Sequence, residues 1–135
     1  MSKTELEAAF DTQWLVLGGP LLESQYRFAA ELVGPGKGLR ERLQEAGLKD
    51  WRFDRAHLPT KVAIEMEGGV YLRGRRRGRH VRPQGFEDDC YKYNAATALG
   101  WRVFRLTTKM INDDPDNAIG PIIKFITDER MRGDL

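Results

Sequence analysis

The chain has 135 residues, 41% hydrophobic and 31% charged, with 22 Lys+Arg against 20 Asp+Glu and a single cysteine, Cys90. That is the composition of one globular domain, 1–135, able to bury a core without staples, and it excludes an intramolecular disulfide framework and a cysteine-rich zinc site. Apolar runs are only a handful of residues long and MSKTELEAAF carries no apolar stretch, which predicts no membrane span, no secretory signal and a reducing, intracellular setting.

Thr4 and Glu7 have capping-box spacing, and Leu6, Phe10 and Trp14 recur at every fourth position, so a helix is expected from about Glu5 to Trp14, stopped by Gly18, Gly19 and Pro20. LLESQYRFAAELV fits either a helix or a strand around Tyr26 to Phe28. Gly34, Pro35, Gly36 and Gly38 form a loop, and LRERLQEAG reads as a short exposed helix closed by Gly47. WRFDRA and KVAIEMEGG, separated by His-Leu-Pro-Thr, read as a β-hairpin, with His57 on its surface. A Gly- and Arg-rich loop or flap follows. A helix is expected over about Phe86 to Leu99, with Tyr91, Ala95, Ala98 and Leu99 on one stripe, then a strand from Trp101 to Leu106. Asp113 or Asp114 before Pro115 caps a last helix with Ile119, Ile122, Ile123 and Ile126 on its apolar face. Trp14, Trp51 and Trp101 read as core. The fold class is α/β, a small mixed central sheet flanked by helices.

Alternation along the second hairpin strand puts Glu65 and Glu67 on one face and Val62, Ile64 and Met66 on the other. With the turn centred on Leu58 and Pro59, Ala63 sits opposite Asp54, and Glu65 is its diagonal neighbour at roughly 6 to 8 Å. Such carboxylates suit a bridging divalent cation. The plain alternative is a solvated strand face answering nearby arginines.

Fifteen of the 22 cations are arginine, and Arg73, Arg75, Arg76, Arg77, Arg79 and Arg82 fall within ten positions, with no acid between Glu67 and Glu87. The net charge of +2 therefore hides segregation. Arginine favours bidentate phosphate contact, so a nucleic acid is the expected partner; an idle basic loop is the alternative. Acids to hold a metal followed by cations to hold an anion is the layout of a phosphodiester site.

Asp54 with Glu65-Met66-Glu67, preceded by a helix carrying Glu7, resembles the core of the PD-(D/E)XK nuclease superfamily. The patterns E-x-E-G-G, R-H, G-F-x-x-D-x-x-K-Y-N and G-W-R-V-x-R are similar to a branch of small phage and bacterial endonucleases akin to very-short-patch repair and Holliday-junction-resolving enzymes. The resemblance covers about 51–111 well and 29–50 poorly, so the latter looks like an insertion. It implies a restriction-endonuclease-like core, with Asp54, Glu65 and the Met66 carbonyl as ligands of Mg²⁺ or Mn²⁺ and Glu7 approaching the same site. The motif lysine is replaced by Glu67. Lys92 and His80 are the candidates to take over its charge, Lys92 having an intrahelical bridge to Asp88 or Asp89 as its plain alternative. The implied activity is endonucleolytic cleavage of DNA, branched DNA first, by a homodimer in the cytoplasm of a bacterial cell or phage-infected host. A mismatch-directed or site-specific nicking enzyme, and a non-catalytic nucleic-acid-binding module, are the alternatives.

Overall fold

In the computed structural model, residues 1–68 and 83–133 are described. Four strands form one sheet in the order β1 (Glu23–Tyr26), β2 (Phe53–His57), β3 (Val62–Glu67), β4 (Arg102–Thr107). β1, β2 and β3 pair antiparallel, whereas β3 and β4 are parallel, so the sheet is mixed, as the order of elements implied. A parallel pair needs a crossover, and the chain between these strands carries helix α4 (Pro83–Ala98).

Helix α1 (Lys3–Val16) begins earlier than the sequence pattern suggested. Two overlapping S/T-x-x-E spacings compete there, and Ser2 with Glu5 makes the capping box: Ser2 Oγ accepts from the Glu5 N–H at 3.1 Å, and Glu5 Oε2 accepts from the Ser2 N–H at 3.2 Å. Thr4 and Glu7 thus lie inside the helix. Leu6, Phe10 and Trp14 are buried against Val62, Ile64 and Met66 of β3, with Leu106, Ile111, Ile119, Ile122 and Ile126 completing this layer of the core. The isoleucines come from α5 (Thr108–Asp113), a helix the sequence pattern did not separate, and α6 (Pro115–Gly133). No described helix is long and apolar enough to cross a membrane.

The open choice over LLESQYRFAAELV is answered by a strand and then a helix, the strand lying earlier than the expected Tyr26 to Phe28. Strand β1 gives way at Arg27 to a turn and the single-turn helix α2 (Ala30–Val33). Over 29–50, α2 and α3 (Leu39–Glu45) bury Ala29, Ala30, Leu39 and Leu43 in a small cluster of their own.

The other sheet face buries Phe28, Phe53, Ala56, Ala63, Ala96 and Trp101, with Phe28 and Phe53 stacked at 4.1 Å between ring centroids. Trp14 and Trp101 are buried and Trp51 is half-buried. Helix α4 keeps half of the stripe expected for it: Ala95 and Leu99 pack against this cluster, but Tyr91 and Ala98 are exposed, while Ala96 is buried and Lys92 and Tyr93 are half-buried. The helix is rotated so that Lys92 and Tyr93, rather than Tyr91 and Ala98, join Ala95 and Leu99 on the side towards the sheet.

The hairpin register also differs from the expected one. A 3₁₀ turn over Leu58–Thr60, closed by Lys61 at φ 53°, moves the turn centre past Pro59, and Ala63 pairs with Ala56 rather than Asp54. The same count brings Asp54 level with Glu65. His57, expected on the surface, is 4% exposed; its Nδ1 lies 2.7 Å from Thr60 Oγ1, and burial, helped by Arg130, lowers its pKa.

Candidate active site

Paired register between β2 and β3 ends at Arg55 and Ile64. Beyond it, side chains replace the missing rungs: the Met66 N–H donates to Asp54 Oδ2 at 2.8 Å, and the Asp54 N–H donates to Glu65 Oε2 at 3.0 Å. Each carboxylate is therefore aimed by the backbone of the opposite strand. A polar cleft of about 110 Å³ opens at this strand end, lined by Lys3, Asp54, Glu65, Met66, Glu67, Lys92 and Tyr93.

The cleft is reached from both layers. From α1, Lys3 Nζ donates to Asp54 Oδ2 at 2.8 Å and to the Met66 carbonyl at 2.6 Å. From α4, Lys92 Nζ donates to Glu65 Oε1. Lys92 therefore bridges to the strand acid, and its ammonium also lies 5.9 Å from the Phe53 ring and 5.5 Å from the Tyr93 ring. Glu67 is directed elsewhere along the same face, with its Oε1 accepting from Arg105 Nε at 2.9 Å. The Tyr93 hydroxyl stands 3.4 Å from Oε1 of both Glu65 and Glu67, linking the two acids.

Glu65 and Glu67 are only 4% and 6% exposed. Burial pushes the Glu65 carboxyl above the usual carboxylate range, over the opposing pull of Lys92 and with the charge of Asp54 adding to the rise. Burial acts on Asp54 in the same direction, but hydrogen bonds from Lys3 and the Met66 N–H outweigh it, and the Asp54 pKa falls. Tyr93 is pushed upward by burial and by the charges of Glu65 and Glu67. Two adjacent acids with opposed shifts are held by two ammonium groups of very different exposure, 47% for the Lys3 side chain and 17% for Lys92.

These donors fit a hard divalent cation. Asp54 Oδ2 and the Met66 carbonyl already converge on one positive group, and oxygen donors are what Mg²⁺ or Mn²⁺ take. Among the described residues no group of three or more His, Cys, Asp or Glu side chains is placed to hold a metal ion.

Of the residues singled out from sequence, Asp54, Glu65, Met66, Glu67 and Lys92 line one cleft. Glu7 does not. Its Oε1 accepts from Arg55 Nη1 at 2.8 Å and Gln25 Nε2 at 3.1 Å, because Arg55, 8% exposed, needs acidic partners and also forks onto Asp11. His80 and the arginines Arg73, Arg75, Arg76, Arg77, Arg79 and Arg82 lie outside the described residues. Lys3, Tyr93 and Arg105 complete the site without having been singled out. Tyr93 had a signal, standing next to Lys92 in K-Y-N, whereas Lys3 had none. The chain matches no protein-family model, no curated protein and no solved structure.

Proposed function

We propose that the chain is a divalent-metal-dependent endonuclease that hydrolyses DNA phosphodiester bonds, with Asp54, Glu65 and the Met66 carbonyl as the ligands. The observation that carries this reading is the convergence of two backbone-aimed carboxylates and a carbonyl on a cation-holding cleft where β2 and β3 separate. Mg²⁺ or Mn²⁺, when bound, would supply Lewis acidity towards the phosphate and acidify a coordinated water. The other tasks fall to the chain itself. Asp54, its pKa lowered, offers a permanent negative charge. Lys92, held at Glu65, keeps a cation at the wall of the cleft, where it can steady charge on a phosphate oxygen; it thereby replaces the motif lysine whose place Glu67 takes. Glu67, tied to Arg105, is better suited to holding that arginine than to ligation.

Branched DNA is the proposed substrate and the homodimer the proposed state, since resolving a four-way junction takes two cuts. The second reading, a nucleic-acid-binding module without catalysis, draws on the basic partner that each of Asp54, Glu65 and Glu67 already has. A four-way junction, a nicked duplex and a linear duplex incubated with Mg²⁺, Mn²⁺ or EDTA separate these readings. Metal-dependent, paired symmetric cuts confined to the junction are expected, and Asp54→Asn and Glu65→Gln should each abolish cutting while leaving DNA binding intact or tighter. No cleavage with either metal would favour the binding module, and normal cutting by either variant would sink the ligand assignment.

A further inference from the structure

We propose that Lys3 is a resident counter-cation occupying the position a divalent metal would take, so that metal must displace it and its charge sets the metal affinity. The inference rests on the ligand assignment above. Lys3 Nζ stands 2.8 Å from Asp54 Oδ2 and 2.6 Å from the Met66 carbonyl, bridging two of the three proposed donors. A metal ion bound by those same two oxygens and an ammonium hydrogen-bonded to both cannot share one gap, sterically or electrostatically.

The two ammonium groups of the cleft are built for different fates. Lys92 is enclosed, its side chain 17% exposed and flanked by the Phe53 and Tyr93 rings, so moving it would open the packing of α4 on β3. Lys3 lies in the first turn of α1 with its side chain 47% exposed. The capping box of Ser2 and Glu5 fixes the backbone there, while the four-carbon stem is free to swing towards solvent. Lys3 is thus the removable cation and Lys92 the fixed one. Without metal, Lys3 relieves the repulsion between Asp54 and Glu65; with metal, it becomes a positive group beside a dication and leaves.

The test is Mn²⁺ binding in the absence of DNA, followed by calorimetry and by the electron paramagnetic resonance signal of free Mn²⁺. Lys3→Met keeps the alkyl stem and removes the charge, and should bind Mn²⁺ about tenfold tighter or more, the size expected for taking a like charge away at such distances. Lys3→Arg should bind close to the wild type. Lys109→Met, which removes an exposed lysine paired with Asp113 on α5, should leave affinity unchanged. If wild type and Lys3→Met bind Mn²⁺ equally, and Asp54→Asn abolishes binding, the ligand assignment stands and the displacement is wrong. Weaker binding by Lys3→Met would overturn it too, by making Lys3 a helper of metal entry. Absence of Mn²⁺ binding in every variant would instead bring down the ligand assignment, and the inference with it.

Discussion

At Asp54 and Glu65 the same surroundings push two acids in opposite directions. Both are desolvated, yet Asp54 receives hydrogen bonds from an ammonium and an amide, whereas Glu65 is buried more deeply and feels Asp54 as a like charge. Asp54 and Glu65 could be placed on one strand face because alternation is a short-range rule, and Lys92 was singled out by the family pattern, whereas its i, i+3 and i, i+4 spacing pointed to Asp89 and Asp88. Lys3 was not legible: 63 positions separate it from Met66, and only tertiary packing brings α1 over the strand end. His57 was misplaced because a histidine in a turn sequence suggests solvent, while the 3₁₀ turn folds its ring inward. Its lowered pKa has a thermodynamic consequence. Below its ordinary value of 6.5 the unfolded chain takes up the proton more readily than the folded one, so the stabilisation present above that pH is lost as pH falls towards the folded-state pKa. The advantage of wild type over His57→Gln in unfolding free energy should therefore shrink between about pH 7 and pH 5. A pH-independent difference, measured by urea unfolding across that range, would refute the burial argument.

Among the elements, those with strong periodicity were read correctly and those set by competition were not. The hairpin, the helix containing Lys92 and the last helix with its buried isoleucines were expected from pattern alone. Three errors share one cause, the choice between near-equivalent registers. Thr4 and Ser2 both offer a cap; the turn can centre on Leu58 and Pro59 or one residue on; α4 can present Tyr91 or Lys92 to the sheet. In each case a one- or two-residue shift is decided by packing, which local spacing does not contain. The cap offers a clean check. Ser2→Ala should cost about 1 kcal/mol of unfolding free energy, whereas Thr4→Ala, inside the helix, should be near neutral. The reverse order in urea-unfolding midpoints would restore the alternative capping box and move Lys3 out of the first turn.

For the whole molecule, the distribution of charge matters more than its sum. The net +2 combines a strand end whose acids are held by Lys3, Lys92 and Arg105 with six arginines between Gly69 and Pro83. On the proposed function, phosphate contacts by such arginines would release condensed counterions, so DNA affinity should fall by orders of magnitude between about 50 and 200 mM salt, with little dependence on base sequence. Filter-binding or fluorescence-anisotropy titrations would reveal the slope, and a salt-insensitive affinity would remove the arginines from the interface. Replacing Arg75, Arg76 and Arg77 by glutamine should flatten it. The α/β class and mixed sheet were legible from element order, because a hairpin followed by helix and strand leaves few topologies open. The closure of the cleft from two layers was not, since it depends on how α1 and α4 settle on opposite faces.

The opened end of the β2–β3 ladder has a mechanical meaning as well as an electrostatic one. Where two rungs are missing, Asp54 and Glu65 act as struts between the strands, each carboxylate tied to an amide across the gap. Their rotamer freedom is surrendered when the sheet forms rather than when a ligand arrives, so a cation entering the cleft meets donors that are already immobile and loses little entropy in ordering them. The converse is that neither strut can be re-aimed without loosening the sheet, which leaves variation at the exposed partner, Lys3, as the cheaper route to changing what the cleft holds.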